Sequence, residues 1–177
     1  MIWARLIRDA ASSLSACVFR GSYVSDPIEL IERRIQAVLD GEKSTRGLHL
    51  FCQLGGKNED SGITTLQISG SGWALVSWRL EDETQMFSYQ LPDEDMRRLY
   101  GMLMRFPFWS VSPARRERLE EESNIHMRIS DQEKGFSHGV QFFTGDYDDY
   151  PMLRDLMERI SKLVEVLSEG TITAAAG

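Results

Sequence analysis

LPDEDMRRLYGMLMRFPFWSV, residues Leu91 to Val111, decides how this chain folds, because its period is helical while the runs on either side of it alternate. Met96, Leu99, Tyr100 and Leu103 recur at i, i+3, i+4 and i+7, the spacing that places apolar side chains in one stripe along a helix. The bulky Phe106-Pro107-Phe108-Trp109 segment then ends that helix. Nothing in the stretch is catalytic; it is an element of architecture.

Upstream of it the period is two. Leu48, Leu50, Cys52 and Leu54 alternate with His49, Phe51 and Gln53, and Gly55 to Asp60 reads as a loop. Further alternating runs cover Ile63 to Ser69 and Trp73 to Leu80, separated by Gly70-Ser71-Gly72, and Gln85 to Leu91 completes a meander. The loops between these runs are too short for crossovers, so antiparallel pairing is expected. Before them, Asp26-Pro27 opens a helix whose inner face is Ile28, Ile31, Ile35, Val38 and Leu39, with Gly41 as its stop.

Downstream, Arg115 to Glu122 reads as a solvated and helical connector in which Arg115, Arg116 and Arg118 are offset by Glu120, Glu121 and Glu122. Asn124 to Ser130 and Phe136 to Thr144 form a strand pair. From Pro151, Leu153, Leu156, Met157, Ile160, Leu163, Val164 and Leu167 make a clean amphipathic stripe. The order is α, α, four strands, α, two strands, α. This predicts an α+β fold: a mostly antiparallel sheet of about five or six strands with helices packed on one face.

The chain has 177 residues, 42% of them hydrophobic and 27% charged, which suits one globular domain. Residues 25–170 are assigned to it, residues 1–24 to an N-terminal amphipathic appendage and residues 171–177 to a flexible tail. In the appendage Trp3, Ile7, Ala10, Leu14 and Cys17 share one helical face, suited to docking on the domain or on a partner. Leu14-Ser15-Ala16-Cys17 also has the residue types of a lipoprotein cleavage box. Arg5, Arg8 and Asp9 interrupt the apolar run such a signal needs, so export as a lipoprotein is the lesser expectation.

A formal net charge of -7 disfavours nonspecific binding to nucleic acid or anionic membranes. No run approaches the length of an integral membrane segment, and two cysteines, Cys17 and Cys52, are too few for a disulfide scaffold. A cytoplasmic location is expected.

The candidate sites are few. His49, His126 and His138 share no metal-ligand spacing, although His126 and His138 are placed to face each other across the last hairpin. Gly70-Ser71-Gly72 lacks the helix that a nucleophile elbow requires and reads as a turn. Asp146, Asp148 and Asp149 are the carboxylates best grouped to try as oxygen ligands for a cation, but initiating the last helix explains them better; no metal and no cofactor is expected. Trp73, Phe108 and Trp109, with Trp3 and Ile7 of the appendage, are the candidate anchors of a protein interface.

From about Asp26 to Glu169, the helix, strands, helix, two strands, helix order and the acidic charge resemble those of acidic type III secretion chaperones. The resemblance covers order and charge alone; the additional strand and the long N-terminus depart from it. It implies a small cytosolic, self-associating protein that binds other proteins. The expected function is accordingly a non-enzymatic protein-binding module of adaptor, chaperone-like or immunity type, acting on another protein or by self-association. The alternative is an enzyme or metal-binding protein with a dispersed site near His126, His138 and the Asp146 to Asp149 loop.

Overall fold

Residues 26–55 and 62–172 are described by the structure, a computed structural model; the appendage and residues 173–177 lie outside these residues with the sequence readings made for them, whereas Thr171 and Ile172, assigned to the flexible tail, are hydrogen-bonded to Ser168 and Ile172 is buried. Three helices, α1 (Pro27–Leu39), α2 (Asp93–Arg105) and α3 (Pro151–Leu167), accompany six strands: β1 (Leu48–Leu54), β2 (Ile63–Ser69), β3 (Trp73–Leu80), β4 (Glu83–Gln90), β5 (Asn124–Asp131) and β6 (Phe136–Phe143). The strands form one antiparallel sheet in the order β4-β3-β2-β1-β5-β6, as the short loops require.

Alternation selects one face of this sheet for the core. Leu48, Leu50, Cys52 and Leu54 of β1, Leu66 and Ile68 of β2, Val76 of β3 and Ile125, Met127 and Ile129 of β5 are all buried. Onto them pack the stripes of α1 (Ile31, Ile35, Val38), α2 (Met96, Leu99, Tyr100, Leu103) and α3 (Leu153, Leu156, Met157, Ile160, Val164, Leu167). Asp26 caps α1 through the Ile28 N–H at 3.0 Å, with Pro27 in the first turn. Phe108 and Trp109, in a single 3-10 turn after α2, close one end of the core.

Two ionic clusters fix the connections. The Arg34 guanidinium of α1 donates from Nε to Asp131 Oδ2 at 2.7 Å, and from Nη2 to the Ser44 and Arg46 carbonyls at 2.9 Å each. The other Asp131 oxygen accepts the Glu133 and Lys134 N–H groups. Gly47 passes so close that a Cβ there would meet Asp131 Oδ1 at 2.9 Å, and its φ of +86° suits glycine alone.

The connector is solvated as expected, with Arg115, Glu117, Glu120 and Glu121 exposed, but the second cluster corrects the reading of it as helical. Residues 111–119 have no regular structure. Arg116 forks onto Glu122 with two bonds of 2.6 Å and reaches Asp146 Oδ1 at 2.9 Å. Residues six apart lie on different sides of a helix, so this pairing requires an irregular chain. Glu122 is buried, and Arg116 holds its carboxyl below the usual carboxylate range.

Candidate functional site

The three helices cover one face of the sheet, and among the described residues nothing covers the other. On this open face Leu75, Gln67, Phe51, Arg128 and Gly139 form one cross-strand row. Beside it lies the row Met86, Ser77, Thr65, Gln53, His126 and Gln141. Trp73 is 50% exposed and Met86 62%, while Phe51, Ile63 and Leu75 are half-buried by their neighbours alone. Leu75 is next-but-one to Trp73 on β3 and lies diagonally across from Met86 of β4, whose direct partner is Ser77, so the three make an apolar strip at one side of the sheet. Toward the other side, the Phe51 ring is met edge-on by His126 at 5.5 Å and capped by the Arg128 guanidinium at 5.3 Å. An apolar patch passes into a cationic and aromatic one across two strands.

The candidate anchors separate accordingly. Trp73 belongs to the open face. Phe108 and Trp109 are 0% and 1% exposed, stacked edge to face at 5.2 Å, and the Trp109 indole N–H donates to Glu32 of α1 at 3.2 Å. They are core residues, because the turn after α2 folds them back under the helices. Trp3 and Ile7 lie outside the described residues.

The polar candidates do not converge. His138 pairs with Ile129 and His126 with Gln141, so the two histidines lie on opposite faces of the sheet rather than facing each other. Asp146 is bound by Arg116 and by the Phe143 N–H at 2.8 Å, Asp148 pairs with Arg154, and Asp149 is exposed. None of them caps α3, whose N-cap is Tyr150 with no side-chain hydrogen bond. No group of three His, Cys, Asp or Glu among the described residues stands close enough to hold a metal ion. Cys52 is free and fully buried, and burial pushes its thiol up to about 12, which removes its thiolate at neutral pH.

Acidification bears on the open face. Burial, helped by the charge of Arg128, holds the His126 imidazole below the usual histidine value. The unfolded chain therefore binds this proton more readily than the folded one. The contribution to stability is complete above about pH 6.5, the ordinary histidine value, and is lost as the pH falls below it. His126→Gln is expected to flatten the decline of the thermal midpoint on that acid limb; an unchanged decline would assign it to other groups.

The larger concave features lie on the helix side; a smaller one of about 330 Å³ is lined by His49 and Ser69 at the end of the open face. A groove of about 400 Å³ between β4, α2 and α3 is lined by Tyr89, Leu91, Leu99, Met102, Leu163 and Val166 among others. A second of about 1070 Å³, beside the connector, carries charges already paired as Arg116–Glu122 and Arg154–Asp148. Sequence reasoning missed both the open patch on β3 and β4 and the two ionic clusters. The signal for the patch was present: in Glu83 to Gln90 polar residues point to both sides, as an uncovered strand permits.

No protein-family model and no curated protein sequence matches the chain. No helix among the described residues is long and apolar enough to cross a membrane.

Proposed function

We propose that this chain is a non-enzymatic protein-binding module that docks another protein on the open face of its sheet. The observation that carries the reading is the one-sided sheet, on which, among the described residues, nothing covers Trp73, Leu75, Met86 and Phe51, while Tyr100, Phe108, Trp109 and Phe142 are packed inside. Large exposed apolar side chains beside one cationic-aromatic group form the kind of surface that supplies interface anchors. The dispersal of His126, His138 and Asp146 gives no comparable support to an enzymatic site.

The test compares three forms of the full-length protein purified from its native cells: unaltered, Trp73→Asp and Lys162→Ala. A stoichiometric companion protein present with the unaltered and Lys162→Ala forms and lost with Trp73→Asp is the expected result. Lys162 is an exposed α3 residue on the helix side and serves as the control. A companion retained by Trp73→Asp, or none with any form, overturns the reading.

A further inference from the structure

Half of the backbone hydrogen-bonding groups of β4 have no partner among the described residues. Antiparallel neighbours exchange hydrogen bonds at every second residue. The Leu91 N–H donates to the Gly72 carbonyl at 2.8 Å, and the register continues from Trp73–Gln90 to Leu80–Glu83. The residues bonded to β3 are therefore Glu83, Gln85, Phe87 and Tyr89, and the N–H and C=O groups of Thr84, Met86, Ser88 and Gln90 point away from the sheet. β4 is its terminal strand, and only Phe87 in it is even half-buried.

Such edges are ordinarily blunted by Lys, Pro, a bulge or a covering element. β4 contains neither residue, its pairing with β3 is unbroken over all eight positions, and no described strand lies beyond it. Beside it on the helix side runs the apolar groove walled by Tyr89, Leu163 and Val166, and on the open side stands Met86, whereas Trp73 lies one strand further in, on β3. An added strand would thus find backbone partners along its length and apolar contacts for its alternate side chains on both faces.

Charge selects the occupant. The strand is uncharged from Thr84 to Gln90, but Glu81, Asp82 and Glu83 precede it, with Arg79 as their one neighbouring cation, and Asp93, Glu94 and Asp95 follow it. Arg98 pairs with Glu94 and Asp95, which leaves Asp93 and the hairpin carboxylates without ion pairs among the described residues. A second copy fits poorly. The two-fold register that uses all four outward residues centres on Phe87, and it brings the acidic β3–β4 turn of one copy (Glu81, Asp82, Glu83) to the end where the acidic start of α2 (Asp93, Glu94, Asp95) lies in the other, a like-charge approach at both ends. We propose that β4 receives an extended segment of a partner protein, uncharged and rich in β-branched or aromatic residues along its middle and carrying Lys or Arg at each end. The proposal rests on the protein-binding reading but uses the sheet edge rather than its open face.

The test is selection from a displayed library of random peptides of about 12 residues, long enough to span a strand, against the immobilised full-length protein. Enriched peptides are expected to alternate β-formers between basic ends, to weaken at high salt, and to bind Met86→Pro at least about tenfold less tightly. Proline is suited there because the Met86 N–H takes no part in the β3 ladder, and an unchanged circular dichroism spectrum verifies the fold. A second variant, Glu81→Lys with Asp93→Lys, is expected to reverse the preference to acidic ends. Absence of enrichment, peptides indifferent to both variants, or slow amide exchange at Met86 and Ser88 in the isolated protein, which would show the edge already occupied by the chain itself or a second copy, overturns the proposal. Trp73→Asp should leave peptide binding in place, which separates failure of the edge from failure of the open face.

Discussion

Arg34→Ala is expected to destabilise the fold by about 3–5 kcal/mol, the loss that follows when a buried ion pair is left with one partner. Asp131 is fully buried at the end of β5 and the Arg34 side chain nearly so. Removing the guanidinium leaves the carboxylate with two backbone N–H donors, from Glu133 and Lys134, and frees the Ser44 and Arg46 carbonyls of a donor. The loss is a large share of the about 5–15 kcal/mol that holds a typical domain together. It should appear as a lowered urea midpoint with little change in slope. Arg34→Lys keeps the charge but not the fork that serves three acceptors at once, so it should recover only part of the loss. An Arg34→Ala protein as stable as the unaltered one would mean that the cluster does not tie α1 to the β5–β6 turn.

Trp109→Ala is expected to cost a comparable amount, about 3–5 kcal/mol for a fully buried aromatic side chain. Its indole is enclosed by the core, stacked on Phe108 and hydrogen-bonded to Glu32, so truncation leaves both a void and an unpaired carboxylate. Trp73→Ala, by contrast, changes a half-exposed side chain on the open face and should lie within about 0.5 kcal/mol of the unaltered protein. Thermal or urea unfolding of the two variants side by side measures the difference between a structural and a displayed tryptophan. Equal losses would contradict the assignment of Trp73 to an uncovered surface.

What was legible in the sequence was periodicity. The spacing of Met96, Leu99, Tyr100 and Leu103 marked the buried stripe of α2, and the alternation of Leu48 to Leu54 marked the inward face of β1. Strand partners and helix starts followed because turn lengths and caps are local. What depended on distant neighbours was hidden. Arg34 and Asp131 are 97 residues apart, and nothing in either segment announces the other. The β5–β6 hairpin turned on its loop: with four residues between Asp131 and Phe136, pairs join odd with even positions, which sends His126 and His138 to opposite faces. Phe108 and Trp109 looked like surface anchors because an aromatic cluster after a helix has no period to indicate which side it faces. The patch of Trp73, Leu75 and Met86 follows from which face of β3 and β4 the helices leave uncovered, and no spacing within either strand states that.

The most direct measurement of the central claim is amide hydrogen exchange on the purified complex with its companion, compared with the free chain. The account predicts slowed exchange concentrated on β2, β3 and β4 around Gln67, Leu75 and Met86, with α2 and α3 unchanged. Protection that appears instead along α2 and α3, with the open face and β4 exchanging as in the free chain, would contradict it.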